Sequence, residues 1–180
     1  MAQPEHVLGQ FQHECATSGV GAALYRLYMA PLPARESRCA RQQPVALSWV
    51  DYREPLDRLV ENELEDVLQT SATQMEYDAR RAEVEARLMR AAAGELAPPK
   101  ELYPIRTNPE VWELRWDFDG EQLRLYFGEP AQHPLLLVGL HYHWKWVAGT
   151  YAEIMAAQDV EIDIATSRYG RWLSNPAGHS

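Results

Sequence analysis

Between residues 45 and 94, apolar residues recur first at every second position and then at every third or fourth position. The first period predicts a strand and the second predicts helices. VALSWVDY (45–52) alternates apolar and polar residues, as expected of a strand with one buried face. Leucine and valine then recur every three or four residues, which predicts a helix over 56–69. Thr70-Ser71 is a candidate N-cap for a second helix over 72–93, and Gly94 is a typical helix end.

The second half of the chain returns to the period of strands. VWELRWDF (111–118) and EQLRLYFG (121–128) both alternate, and Asp119-Gly120 between them is a dipeptide typical of a tight hairpin turn. PLLLVGLHYH (134–143) is almost continuously apolar, which predicts a central strand buried on both faces. Apolar residues over 151–173 are consistent with a terminal helix.

The resulting order, β-α-α-β-β-β-α, predicts an α+β two-layer domain over 45–173, with an antiparallel sheet packed by helices. The proline-rich stretch 96–104 is expected to be a loop. Residues 1–44 are expected to form an N-terminal extension, with a helix over about 5–28 and then a proline-rich linker. The last residues, 174–180, are expected to be a flexible tail.

Composition narrows the environment and the class of partner. The longest apolar run, Pro134 to Leu140, is too short to cross a bilayer, and the N-terminus lacks the pattern of a secretory signal, so we expect a cytoplasmic protein. Cys15 and Cys39 have no metal-like spacing and are interpreted as incidental thiols. The net charge of −9 counts against a broadly basic nucleic-acid surface, so nucleic-acid binding would require a local basic patch.

Two arginines are candidates for such a patch. Arg115 and Arg124 lie on the two predicted strands of the Asp119-Gly120 hairpin. Two guanidinium groups on one sheet face would match the geometry of a phosphodiester and stabilise charge developing on it. The alternative, which strand arginines often adopt, is that each pairs with a neighbouring carboxylate such as Glu113 or Glu121.

The stretch LHYHWKWVAG (140–149) carries the other candidate groups, at the end of the predicted central strand. Strand alternation divides it into a polar face and an aromatic face: His141, His143 and Lys145 on the first, Tyr142, Trp144 and Trp146 on the second. Histidine suits proton transfer and lysine suits a phosphate. We assign the aromatic face to the core in preference to base stacking, and His141 to the core as well. His-x-His is also a metal spacing, but no third histidine or cysteine lies nearby in sequence.

The end of the last helix supplies two further candidates, Arg168 and Tyr169. A basic residue there interacts favourably with the helix dipole, which is sufficient reason for its presence. The alternative places Arg168 or Tyr169 back over the sheet, near a bound phosphate.

Several strings of this sequence match the motif pattern of a known family. They are GELAPPKELYPI (94–105), VWELRWDFDGEQLRLYF (111–127), LLLVGLHYHWKW (135–146) and IATSRYGRW (164–172). The region over 45–173 resembles the RelE/ParE superfamily, the toxins of bacterial type II toxin–antitoxin systems, and is most similar to its phage-derived HigB-like branch.

This resemblance implies a toxin that arrests growth by inhibiting translation, as an endoribonuclease that cleaves messenger RNA on the ribosome without a metal or cofactor. The RNA's own 2′-hydroxyl would be the nucleophile, and a cognate antitoxin, often a helix-turn-helix protein, would hold the toxin inactive. By motif, Arg115 and Arg124 would clamp the phosphate and Lys145 would add a third positive charge. His143 would act as acid or base, and Tyr169 or Arg168 would complete the site.

Two features depart from the family pattern. The chain is acidic, and the family's paired lysines are reduced to Lys145 between Trp144 and Trp146. Two alternatives therefore stay open on the same fold. One is a non-catalytic inhibitor of DNA gyrase, as in the ParE branch, and the other is an interaction domain that has lost the chemistry.

Overall fold

The structure is a computed structural model that describes residues 36–41, 46–55, 57–69 and 73–178. The predicted helix over 5–28, Cys15 and most of the predicted linker lie outside the described residues. Three α-helices and five strands are described: β1 (Ser48–Asp51), α1 (Leu59–Gln69), α2 (Gln74–Ala93), β2 (Leu102–Pro104), β3 (Val111–Phe118), β4 (Glu121–Gly128), β5 (Leu136–Trp144) and α3 (Tyr151–Ser174). Short 3₁₀ helices cover Arg38–Ala40 and Pro176–Gly178.

The hairpin of β3 and β4 has the predicted bounds and the predicted turn. Asp119 and Gly120 both adopt positive φ, 55° and 93°, the left-handed conformation that a two-residue hairpin turn requires. Eight residue pairs connect the two strands without a break in register, from Val111 opposite Gly128 to Phe118 opposite Glu121.

The strands form one mixed sheet in the order β1-β5-β4-β3-β2. The α+β class is confirmed, but the prediction of an antiparallel sheet was wrong, because β1 pairs with β5 in parallel. The two strands are far apart in sequence, and alternation alone carries no information about strand direction. The strand β2 was also missed: Leu102–Pro104 lies in the stretch predicted as a loop, and it is too short and too close to prolines to give a period.

The helices end largely where the sequence places their ends. Gly94 terminates α2 in the left-handed conformation, with φ of 77°. The N-cap of α2 is Thr73, whose side chain accepts a hydrogen bond from the Glu76 amide, and the expected cap at Thr70-Ser71 lies outside the described residues. A capping box between Thr150 and Glu153 begins α3.

The helices cover both faces of the sheet, so the expected two layers are replaced by three. On one face, Trp144 of β5 donates from its indole Nε1 to the Val67 carbonyl of α1, 2.9 Å away. On the other face, α3 places the Tyr169 ring so closely over Gly128 that a Cβ there would lie 2.4 Å from the ring. The core therefore lies on both sides of β4 and β5, with Trp116, Tyr126 and Trp172 among its largest fully buried side chains.

Residues 36–41, within the segment predicted as linker, pack against the rest of the described domain. Cys39 is fully buried, and the Ser37 hydroxyl and Arg38 amide both donate to the Glu129 carboxylate. In the described part of the chain, no helix combines the length and apolar character needed to span a membrane.

Candidate functional site

Arg115 and Arg124 are direct cross-strand partners, so their side chains leave the same face of the sheet. Between them lies the carboxylate of Glu113, which is fully buried. Its Oε1 is 2.7 Å from Nε of Arg124 and 3.1 Å from Nε of Arg115. Both arginines therefore pair with Glu113, which is one of the two carboxylates that the sequence offered. The other, Glu121, pairs with Arg80 of α2 at 2.8 Å.

One carboxylate between two guanidinium groups leaves a net positive charge. Arg124 is almost entirely buried and also donates to the carbonyls of Leu123 at 2.9 Å and Trp116 at 3.2 Å. Arg115 is more exposed, and its guanidinium lies 4.3 Å from the centre of the Tyr103 ring. Arg115 is therefore the more accessible of the two to a ligand.

Lys145 adds a third cation next to this pair. It follows the end of β5, and its backbone amide donates to the Gln122 carbonyl of β4 at 2.7 Å. Burial lowers the pKa of Lys145, and the positive charges of Arg124 and Arg115 lower it further, against the opposing effect of Glu113. No carboxylate among the described residues forms an ion pair with Lys145. Arg115, Arg124 and Lys145 are called the cation cluster below.

His143 lies behind the cation cluster, opposite Arg124 in register. Its ring stacks between those of Tyr126 and His141, with centroids 5.3 Å and 5.5 Å away. Burial lowers the pKa of His143 to about 4, so the ring is neutral near pH 7. Nδ1 lies 3.2 Å from the Trp144 carbonyl, which assigns the proton to Nδ1, and the buried Nε2 has no hydrogen-bond partner in the described structure.

Arg168 lies in an adjoining polar group around His141, which sequence reasoning assigned to the core. The His141 ring nitrogens lie 2.9 Å from the Glu63 carboxylate and 2.6 Å from that of Glu161. Arg168 pairs with Glu63 at 2.7 Å. Burial tends to raise the pKa of Glu63, but hydrogen bonds from His141 and Arg168 outweigh it and lower the pKa below its usual value.

This polar group seals an open edge of the sheet. The β4–β5 register shifts so that Leu140 has no partner in β4, and β1 ends opposite Gly139. Arg168 donates to the Leu140 carbonyl at 2.7 Å, and Glu63 accepts from the Tyr142 amide at 3.1 Å. The pair therefore satisfies backbone groups of β5 that have no neighbouring strand.

Tyr169 takes part in neither group. Its hydroxyl donates to Glu110 at 3.0 Å, and its ring covers Gly128 at the opposite end of β4 from Arg124. Burial raises the pKa of this phenol, and the hydrogen bond to Glu110 raises it further. Of the six predicted site residues, the structure thus brings four together and places Arg168 in the adjoining group.

A cleft of about 610 Å³ opens beside the end of β3 that β2 leaves unpaired, next to α2. Arg115 and Arg124 line it together with two cations that sequence reasoning missed, Arg87 of α2 and Lys100. Glu83, Glu101 and Asp117 also line it, so its charge is mixed. Lys100 lies in the family-like string GELAPPKELYPI but was not assigned to the site. Arg87 had no recognisable signal, because only the packing of α2 beside β3 brings it to this edge.

Comparison of the chain with protein-family models, with curated proteins and with solved structures gave no match. Within the described ranges, no three histidine, cysteine, aspartate or glutamate side chains are grouped so as to hold a metal ion.

Proposed function

We propose that this protein is a RelE/HigB-like toxin, an endoribonuclease that cleaves messenger RNA at the cation cluster. The observation that carries the proposal is that Arg115 and Arg124 share one sheet face around the Glu113 carboxylate, with Lys145 just beyond the end of β5 and near enough for their charges to lower its pKa. The order of helices and strands, and the string similarities over 94–172, are further support.

The charge balance favours an anionic ligand. The three cations and Glu113 alone leave a net charge of about +2 when all four are ionised, on a chain whose total charge is −9. The adjoining cleft is mixed, with Glu83, Glu101 and Asp117 beside Arg87 and Lys100. Arg115 and Lys145 are partly exposed and would contact the phosphodiester. The buried Arg124 would instead stay paired with Glu113.

The chemistry needs only groups that the RNA, this chain and solvent supply. The 2′-hydroxyl attacks the adjacent phosphorus and releases its proton to solvent. The P–O5′ bond breaks, and the leaving O5′ takes a proton from the Lys145 ammonium, which solvent then reprotonates, so the fragments carry a 2′,3′-cyclic phosphate and a 5′-hydroxyl. The cations stabilise the negative charge that builds on the phosphoryl oxygens. His143 is neutral near pH 7 and so cannot act as the acid, and its buried Nε2 keeps the ring from the scissile bond, so we assign it to the support of the cation cluster.

A second candidate is a non-catalytic inhibitor or interaction domain of the same fold. Two observations favour it: Glu113 already neutralises part of the arginine charge, and Nε2 of His143 is buried. In this case the cation cluster would bind an acidic surface of a partner protein.

Induced expression with primer extension on cellular messages separates the two. Lys145 is the residue to change, because it is partly exposed and its loss leaves no buried charge unpaired, unlike that of Arg124. The unmutated chain should arrest growth and produce cleaved messages, and Lys145→Ala should lower cleavage about 100-fold, the usual effect of removing one group that stabilises transition-state charge.

Arg58→Ala is the matched control, because Arg58 is an exposed cation whose recorded ion pair is with Glu61, away from the cation cluster. It should leave cleavage unchanged. Growth arrest with intact messages would favour the inhibitor, and a harmless unmutated chain would favour the inactive interaction domain.

A further inference from the structure

Trp146 is exposed, unlike Tyr142 and Trp144, with which strand alternation groups it. Tyr142 is buried in the core, where it packs against Trp116 with ring centroids 6.4 Å apart, and the partly buried Trp144 packs against the core. Because β5 ends at Trp144, Trp146 is released from the alternation, and 47% of its surface is exposed.

Trp146 lies in a short stretch of the chain that is rich in exposed apolar side chains. Of nine large apolar side chains exposed in the described residues, four fall between residues 146 and 155. They are Trp146, Val147, Tyr151 and Met155. Single exposed apolar residues need no explanation, but four in ten positions, around the start of α3, indicate a contact surface.

The loop holds the indole in place. Gly149 has a positive φ of 119°, and a Cβ on it would lie 2.8 Å from Cη2 of Trp146. The ring therefore rests against the backbone of Gly149, in a position that only glycine leaves free. An aromatic ring that is packed along one side and open on the other is a preorganised surface for stacking.

The neighbouring charge decides what this surface contacts. Trp146 follows Lys145 directly, and Lys145 lies beside Gln122, which lines the cleft together with Arg115 and Arg124. Phosphate-binding cations next to an exposed aromatic ring are the combination with which proteins hold single-stranded nucleic acid. The Glu153 carboxylate also lies at this loop, against Gly149, where it accepts from the Thr150 amide and hydroxyl. The cations would repel a basic helix or peptide of a partner.

We propose that Trp146 is a base-stacking residue, which holds a nucleotide of single-stranded RNA next to the phosphate bound at the cation cluster. This inference rests on the proposed function and adds to it a subsite that recognises a base. Because every base has a stacking face, the subsite strengthens binding without selecting a sequence.

The experiment compares two probes with the full chain. One is a short 2′-O-methyl oligoadenylate, which cannot supply the nucleophile and stays intact, and the other is an abasic oligomer with the same number of phosphates. Trp146→Ala should weaken binding of the oligoadenylate by about 5- to 150-fold, the range for one stacked base, and leave that of the abasic oligomer unchanged. Lys145→Ala should weaken both, because it removes a phosphate contact.

Met75→Ala is the control for loss of exposed apolar surface, since Met75 is 80% exposed at the start of α2. It should change neither affinity. The inference is overturned if Trp146→Ala weakens the binding of both probes equally, or of neither. Unchanged binding of both probes would indicate instead that the exposed apolar residues contact a protein partner. If the unmutated chain binds neither probe, the proposed function fails together with it.

Discussion

Glu113 is the residue on which the geometry of the cation cluster depends. It is fully buried and contacts both Arg115 and Arg124, so it fixes the two guanidinium groups and also compensates part of their charge. The sequence allowed both a phosphate clamp and a carboxylate pair. Cross-strand register predicted that the two arginines share a face, but the side-chain conformations that admit Glu113 between them carry no sequence signal.

Glu113→Gln should destabilise the protein by about 3–5 kcal/mol, because it leaves a buried guanidinium without its counter-charge. Glu121→Gln is the control on the same hairpin: its carboxylate also pairs with an arginine, but its side chain is 51% exposed, so the loss should be about 1 kcal/mol or less. Urea unfolding measures both. Equal losses in the two variants would contradict the role assigned to Glu113.

His143 should make stability depend on pH in a defined window. Its pKa falls from an ordinary value of 6.5 to about 4 on folding. Between these values the unfolded chain binds a proton that the folded chain does not, so stability falls as the pH falls from about 6.5 to about 4, by roughly 3 kcal/mol.

The measurement is the free energy of unfolding across this pH window for the unmutated chain and for His143→Gln, which cannot titrate there. The variant should lack this part of the pH dependence. Parallel curves for the two proteins would show that His143 does not have a lowered pKa.

At the scale of elements, the helices and the hairpin were predictable and the edges of the sheet were not. Local rules define the Asp119-Gly120 turn and the end of α2 at Gly94, because both need positive φ over a few residues. Two features join segments that are distant in sequence, so no local pattern predicts them. One is the parallel pairing of β1 with β5, and the other is the hydrogen bonding of Glu63 and Arg168 to the backbone of β5.

The packing of α3 on the sheet can be tested with two glycines. Gly128→Ala should destabilise the protein by about 1–3 kcal/mol, because the new Cβ would lie 2.4 Å from the Tyr169 ring. Gly170→Ala, in α3 itself, meets open space and should stabilise the helix by up to about 1 kcal/mol. Thermal unfolding gives both signs, and destabilisation of similar size in both variants would contradict the described seating of α3.

At the scale of the whole molecule, an acidic protein presents a small positive site. The net charge of −9 argued against nucleic acid, but Arg115 and Arg124 meet around Glu113 on one sheet face, with Lys145 just beyond the end of β5. The hairpin alone placed Arg115 and Arg124 on one face, whereas His143 and Lys145 were joined to them through the family resemblance. Tyr169 could not be excluded from the group, because its position depends on how far α3 runs along β4 towards Gly128.

The central claim is that the cation cluster promotes attack by the RNA's own 2′-hydroxyl. The most direct measurement is the chemistry of the new 5′ ends in messages cleaved after induction of the unmutated chain and of Lys145→Ala. The account predicts 5′-hydroxyl ends with the unmutated chain and about 100-fold fewer such ends with the variant. Ends that carry a 5′-phosphate, or equal cleavage by both proteins, would contradict it.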